Sequence, residues 1–310
     1  MNILLILSLS IFLTWFLTKL LIKPFKRFIP DLPNKRSAHH KLKPRGGGIS
    51  FILINFVLAI IFSQKTFFFL LPLSIVSFLD DFFNLSKFIR LFTQISTSFY
   101  LFLISPYFDS LILIENITLK IFLISIILLA STAIINFCNF VDGIDGILTG
   151  SVLVVLISFS FLIDGNVWPL IGSLIGFLLW NWEPSKIFMG DIGSNFLGGV
   201  LVWILLNSGS VQFSFCFLLI SFPILIDPLT CLIRRFINKQ NIFEAHSLHL
   251  YQRLNKAGLA HNRVSKIYIL SSFFISLSFF AGGLKIQILT TIFIFLLGIL
   301  IDKKKGIPFK

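Results

Sequence analysis

Residues 119–146 read LKIFLISIILLASTAIINFCNFVDGIDG, and the change of character within this stretch decides the fold. Its first two thirds are apolar, relieved only by Lys120, serine and threonine, over nearly the length that a helix needs to cross a bilayer, about 20 residues. Asn136, Asn139, Asp142 and Asp145 then follow at intervals of three, with Gly143 and Gly146 among them. On a helix such a spacing puts the four oxygens on one face. The glycines allow a turn that brings backbone amides close to an anion. A membrane helix ending in a polar, glycine-containing turn is the unit from which the rest of the chain can be read.

Apolar runs of this kind recur from the first residues to the last. Of the 310 residues 56% are hydrophobic and 13% charged, with a mean hydropathy of +0.95, where soluble domains carry about 25% charged residues. Such a chain lacks the polar surface to face water and is expected to use the bilayer as its solvent. The predicted helices cover residues 2–22, 47–63, 66–79, 90–105, 119–136, 147–163, 167–181, 195–207, 211–230, 266–283 and 286–301. The expected fold is therefore an all-α polytopic integral membrane protein of about eleven transmembrane helices, forming a single domain over residues 1–310. The first run has no basic segment before it and no small-residue cleavage site after it, so it reads as a retained helix rather than a signal peptide.

Charge then orients the chain. With loops 23–46, 80–89, 137–146, 182–194 and 231–265 and the tail 302–310 on one side, and basic residues at the adjoining helix ends counted with them, 23 of the 26 Lys and Arg fall there, all except Lys65, Lys120 and Lys285. The positive-inside bias makes that side cytoplasmic, with the N-terminus outside and the C-terminus inside. It also accounts for the net charge of +13 without nucleic acid, whose binding needs a basic face on a folded polar domain. Cys138, Cys216 and Cys231 are odd in number and unpatterned, and read as packing residues rather than a disulfide or metal framework.

Carboxylates at membrane depth cost several kcal/mol and are functional candidates by default. Asp80 and Asp81 end one apolar run; their mutual repulsion raises a pKa or recruits a cation, and oxygen ligands suit Mg²⁺. Asp191 lies between two glycines, with Ser194 as the expected N-cap of the next helix, an arrangement that suits phosphate. Asp227 precedes Arg234 and Arg235, and His246 and His249 follow in a polar loop. Arginine suits a diphosphate and histidine can donate to phosphate or shuttle a proton. The two histidines could also hold zinc, but no Cys or third His stands near them in the loop. Lys35, Arg36, His39 and Arg45 add cationic candidates ahead of Gly46–Gly48, and part of that charge serves anionic lipid.

Taken in order, PNKRSAHHKLKPRGGG, the Asp80–Asp81 pair with Arg90 and Gln94, NFCNFVDGIDG, FMGDIGS and EAHSLHLYQRL resemble the signatures of the bacterial glycosyltransferase family 4 branch of the polyprenyl-phosphate N-acetylhexosamine-1-phosphate transferases. The resemblance runs from residue 31 to 254. It implies a Mg²⁺-dependent enzyme, with Mn²⁺ as a substitute, in the bacterial inner membrane with its active site on the cytoplasmic face. It further implies transfer of an N-acetylated amino-sugar-1-phosphate from a UDP-sugar to undecaprenyl phosphate with release of UMP, initiating O-antigen or another surface glycan. A homodimer is left open, as is the choice between direct transfer and a covalent intermediate.

Matched position by position, the resemblance makes Asp191 the central metal ligand and Asn139 a second. Asp80 and Asp81 would activate the lipid phosphate or help hold the metal complex. Asp142 and Asp145 join them as catalytic candidates. Asn136, Lys35, Arg36, His39, Arg235, His246 and His249 would bind substrate. Asn84 stands where the peptidoglycan branch carries lysine, and the histidine motif is reduced to AHxxH, which favours an O-antigen or capsule-type transferase over a phospho-MurNAc-pentapeptide transferase. The AHSLHLYQRL segment is closest to the subgroup that uses deoxy-amino sugars. A cation-coupled transporter is the rival from another class. It would place its acids near the midplane and show repeats, whereas these acids cluster at one face.

Overall fold

The computed structural model describes residues 2–33, 42–163, 166–242, 244 and 246–309. Lys35, Arg36 and His39 lie outside the described residues. The chain is all-α: its only strands among the described residues are the two-residue β1 (Pro30–Asp31) and β2 (Lys43–Pro44), paired antiparallel.

All eleven apolar stretches are helical, with boundaries that matter for the site. The helices are α1 (Ile3–Phe28), α2 (Gly48–Ile61), α3 (Leu71–Phe83), α4 (Lys87–Leu103), α5 (Pro106–Ile112), α6 (Ile117–Val141), α7 (Ile147–Ile163), α8 (Trp168–Asn181), α9 (Gly190–Leu206), α10 (Val211–Ile237), α11 (Leu250–Lys256) and α12 (His261–Lys305). Four of them, α1, α6, α10 and α12, are long and apolar enough to cross a membrane; the pair α4 and α5, bent by 75° at Ser105, makes a fifth if taken as one span. The α7, α8 and α9 helices are shorter and apolar.

The two expected helices at the C-terminal end are the two halves of α12, which breaks at Gly282 and Gly283, where the backbone leaves helical geometry. A straight helix of 45 residues would run about 67 Å. Instead, Asp302 near its end pairs with Arg253, eight residues before its start. The second half therefore folds back along the first.

Helix α9 is the centre of the bundle. It is apolar nearly all round, as a helix surrounded by others must be, and packs between α3, α6, α2 and α10. Phe196 meets Phe51, Phe56 and Phe67, and Trp203 meets Phe67 and Phe159, in edge-to-face or tilted ring pairs. Aromatic pairs in these orientations add about 1 kcal/mol each to their burial. Around this core α1 lies against α8, where Gly172 and Gly176 admit the backbone and small side chains of Ser10, Ile11 and Thr14. Small residues at such contacts are the usual means of close helix approach in lipid.

The two ends of the bundle differ. At one end Lys65 N donates to Asn166 O between two loops, and Tyr107 Oη of α5 shares a hydrogen bond with Ser214 Oγ of α10. At the other meet the segments expected to carry the chemistry. Residues 44–48 pair with Phe188 and Met189 through Phe188 N to Pro44 O, Gly47 N to Phe188 O and Gly48 N to Met189 O.

Candidate active site

The site is assembled at the end of the bundle where α3, α6 and α9 present their polar termini. Helix α6 runs through Asn136 and Asn139 to Val141, one turn beyond the predicted end, and Asp142 caps it. Asp145 lies in the turn that follows. The α9 helix begins at Gly190, not near Ser194, so Asp191 sits in its first turn and Ser194 lies inside the helix rather than capping it. No side chain of its own caps α9. The carboxylate of Asp81 does so from α3, accepting from Asp191 N at 3.1 Å and Ile192 N at 3.3 Å. An anion there meets both the free amides and the positive end of the helix.

Gly190 makes that contact possible. Its φ is +73°, and a Cβ would lie 2.5 Å from Asp81 Oδ2. Arg45, held by the strand segment, comes within 3.6 Å of Asp81 Oδ1 and donates to the Asp81 carbonyl. Asp80 is equally engaged: it accepts from Leu85 N and from Arg90 Nη1, the latter at 3.0 Å. Neither member of the pair presents a free oxygen to the outside.

Asp145 is also fully occupied. It accepts from Ser185 N at 3.1 Å and Ser185 Oγ at 2.8 Å, with His261 Nδ1 at 3.3 Å and Lys43 Nζ at 3.5 Å. Burial alone pushes its carboxyl up; the hydrogen bonds from His261 and Ser185 and the charge of Lys43 outweigh that and hold it at about 2. Asp145 thus ties the turn after α6 to the 182–189 segment and to the start of α12. Asn136 joins a buried amide chain, donating to Gln94 Oε1 at 2.7 Å, while Gln94 donates to Asn195 and Asn195 to Ser77.

Two carboxylates remain open. The Asp191 side chain is 31% exposed, against 5% for Asp80 and 2% for Asp145. Asp142 is half-buried, and its carboxylate has no hydrogen bond or ion pair among the described residues. Burial first, then the charges of Asp191, Asp81 and Asp145, push the Asp142 carboxyl well above its ordinary value. Asn139 reaches both Asp191 Oδ1, at 2.9 Å, and Ser194 Oγ, at 3.0 Å. A half-buried acid without a partner, pressed by like charges and surrounded by oxygen donors, fits a hard divalent cation. Asn139 would contribute its amide oxygen after a half-turn of the side chain.

The histidine segment stands beside this centre. Helix α10 continues through Pro223 and Pro228 to Ile237, past the predicted end at 230, so Asp227 is inside a helix and Arg234 and Arg235 are in its last turns. Asp227 does not orient either arginine. It accepts from Leu250 N at 2.7 Å, Tyr251 N at 3.2 Å and Tyr268 Oη at 2.7 Å, fixing the start of α11 directly after His249. Tyr251 then donates to Phe140 O at 2.7 Å, and a Cβ at Gly143 would fall 2.1 Å from its hydroxyl. Through these contacts the histidine loop is docked on the Asp142 turn.

Arg235 is buried and donates to the carbonyls of Glu244 and Asn241, bracing that loop from within. Arg234 pairs with Asp302 at 2.7 Å, and Arg253 does so at 2.5 Å. The His246 imidazole is pushed down to about 4, first by burial and then by His249 and Arg235. Ser185, His261, Tyr268 and Asp302 carry no motif signal, and Tyr251 stands in the EAHSLHLYQRL motif without one of its own; only the fold shows what they hold.

The fold and the site define an all-α membrane protein whose open carboxylates and histidines converge at one end of a helical bundle. A family model described as glycosyl transferase family 4 matches residues 63–209. A probable undecaprenyl-phosphate N-acetylglucosaminyl 1-phosphate transferase of Bacillus subtilis is 30% identical over 297 residues, covering 86% of this chain and 82% of its own. The undecaprenyl-phosphate α-N-acetylglucosaminyl 1-phosphate transferase of Thermotoga maritima is 32% identical over 256 residues, 78% of this chain and 79% of its own. A phospho-N-acetylmuramoyl-pentapeptide-transferase of Petrotoga mobilis is 31% identical over 276 residues, 79% of this chain and 85% of its own. The chain belongs to glycosyl transferase family 4.

Proposed function

We propose that the protein transfers an N-acetylated amino-sugar-1-phosphate from a UDP-sugar to undecaprenyl phosphate, giving the undecaprenyl-diphosphate sugar and UMP at the start of O-antigen or other surface glycan synthesis. The observation that carries this reading is the pair Asp191 and Asp142, the open carboxylates of an otherwise saturated acidic cluster. The names of the relatives supply the substrate classes. An apolar cleft of about 680 Å³ between α10 and the two halves of α12 supports a long isoprenoid acceptor, since it opens beside Asp227 and Arg234.

In this reading Asp191 and Asp142 would hold Mg²⁺, with Asn139 as a further ligand. When bound, the ion neutralises charge between two phosphate anions that must approach each other. An oxygen of the lipid phosphate bonds to the β-phosphorus in line, as the bond from that phosphorus to the UMP oxygen breaks. Arg90, half-exposed and 3.9 Å from Asp191, faces the same opening with a cation suited to phosphate. Asp80, Asp81 and Asp145 act as positioning residues, because their oxygens are committed to Arg90, α9 and Ser185. His246, neutral at pH 7, can accept or donate a hydrogen bond but brings no charge. The protein crosses the inner membrane about eleven times, with the site and the C-terminus cytoplasmic, as the distribution of lysine and arginine favours.

Membranes containing the protein, given undecaprenyl phosphate and a panel of UDP-sugars that includes UDP-MurNAc-pentapeptide, should yield one lipid diphosphate sugar by mass spectrometry. With that donor, Asp191→Asn should lower Mg²⁺-dependent UMP release by about a hundredfold or more while the purified protein keeps its thermal midpoint. Full turnover in a folded variant would remove Asp191 from the centre.

A further inference from the structure

The transfer reaction gives Cys231 no part to play, yet the fold brings it to the histidines. Asp227 and Cys231 are four residues apart on α10 and so share one face of that helix. The same face that fixes Leu250 and Tyr251 through Asp227 turns the Cys231 thiol toward the loop, with Sγ 4.0 Å from His246 Nδ1. The His246 and His249 rings are 4.9 Å apart. One ligand atom from each of Cys231, His246 and His249 lies within 4.8 Å of the others. The sequence disguises this group, because fifteen residues separate the cysteine from the first histidine.

A second observation points to a ligand. The His249 side chain is 6% exposed, and its Nδ1 is buried without a hydrogen-bond partner, 3.9 Å from Asp227 Oδ1 and too far to bond it. Asp227 cannot turn to meet it, since its oxygens already accept from two amides and a tyrosine hydroxyl. Burying a polar atom unpaired is unfavourable, and an ion at the cluster would remove that cost.

We propose that Cys231, His246 and His249 form a soft-donor metal site that takes Zn²⁺, separate from the all-oxygen centre at Asp191. Thiolate and imidazole select zinc, whereas carboxylate and amide oxygens select magnesium. Around a tetrahedral Zn²⁺ these donors stand about 3.3–3.6 Å apart, so the cluster reaches ligating geometry by side-chain shifts of less than an ångström or so. Three protein donors leave a fourth position to water or to an anionic oxygen. The ion ties the loop after α10 back onto that helix, and it does so beside the acidic turn, because the His249 ring is 6.1 Å from that of Phe140.

The full-length protein, purified in detergent with any affinity tag removed, is freed of metal and titrated with Co²⁺. The site predicts about one equivalent bound with an intense thiolate-to-cobalt absorption in the near ultraviolet. That band should vanish in Cys231→Ser, weaken in affinity about tenfold or more in His246→Ala, persist in Cys138→Ser, and be displaced by Zn²⁺ but not by Mg²⁺. A folded wild-type protein without the band, or a band retained in Cys231→Ser, overturns the site. Should Cys231→Ser not fold, the wild-type thermal midpoint decides: a rise with Zn²⁺ that Mg²⁺ does not give supports the site, and no rise refutes it. None of these readouts uses substrate, so they stand or fall apart from UMP release.

Discussion

Asp142 and Asp145 are three residues apart in one turn and read alike in sequence, but their surroundings separate them. Asp145 is a sealed clamp between Ser185, His261 and Lys43, whereas the Asp142 carboxylate has no partner among the described residues. Asp145→Asn should therefore lower stability, by about 3 kcal/mol for a broken buried pair, and Asp142→Asn should lower turnover with little change in thermal midpoint. The sign of the pH effect follows from the depressed carboxyl. Its stabilisation is complete above the ordinary value of 3.8 and disappears only as pH falls through about 2. The gap in midpoint between wild type and Asp145→Asn should hold from about pH 7 down to about pH 5. A gap that closes within that range would show that the carboxylate is not held low. The same contrast marks where residue-level reading stops: the regular spacing from Asn136 to Asp145 identifies a site, but whether an oxygen is free depends on Ser185 and His261, which are distant in sequence.

Helix ends decide how far the elements were legible. Apolar length locates every major helix, and the errors fall where termini are set by distant groups. The α9 helix starts at Gly190 because Asp81 caps it from another helix, a partner 110 residues away. The α10 helix survives two internal prolines because it is long and packed against α12, α6 and α7, and it runs past 230, so Arg234 and Arg235 are helical where a loop was expected. The role of Asp227 as a cap for α11 has no local signature. The α9 start gives the element-scale prediction. Gly190→Ala must adopt a positive φ and drive a methyl into Asp81, at a cost of about 1–3 kcal/mol, and it should reduce both thermal midpoint and UMP release. Gly298→Ala, in the second half of α12 with no atom near its added methyl, should be neutral or stabilise by up to about 1 kcal/mol. Equal effects from the two would refute the account of the α9 terminus.

At the scale of the whole molecule the polar loops meet at one end of the bundle, and their charge is the ground for proposing that this end faces the cytoplasm. The three native cysteines are buried, so cysteines introduced singly can report the two faces against a quiet background. Lys120→Cys should react with a membrane-impermeant maleimide in intact cells. Lys239→Cys should react only after permeabilisation. The reverse pattern would invert the orientation and place the site outside. The hydropathy of the sequence establishes that the protein lives in a bilayer, and its last two apolar runs, 266–283 and 286–301, already read as two crossings that turn back near Lys285; that the reversal is made by the backbone of Gly282 and Gly283 is visible only in the fold.

That doubling back has a consequence for biosynthesis. Arg234 and Arg253 receive their common counter-charge from Asp302, which the ribosome adds long after both arginines and every acidic cluster. The pairing of these two arginines must therefore wait until the returning half of α12 has entered the membrane, so an incompletely inserted chain has the loop contacts of Arg235 and Asp227 but leaves Arg234 and Arg253 without their counter-charge.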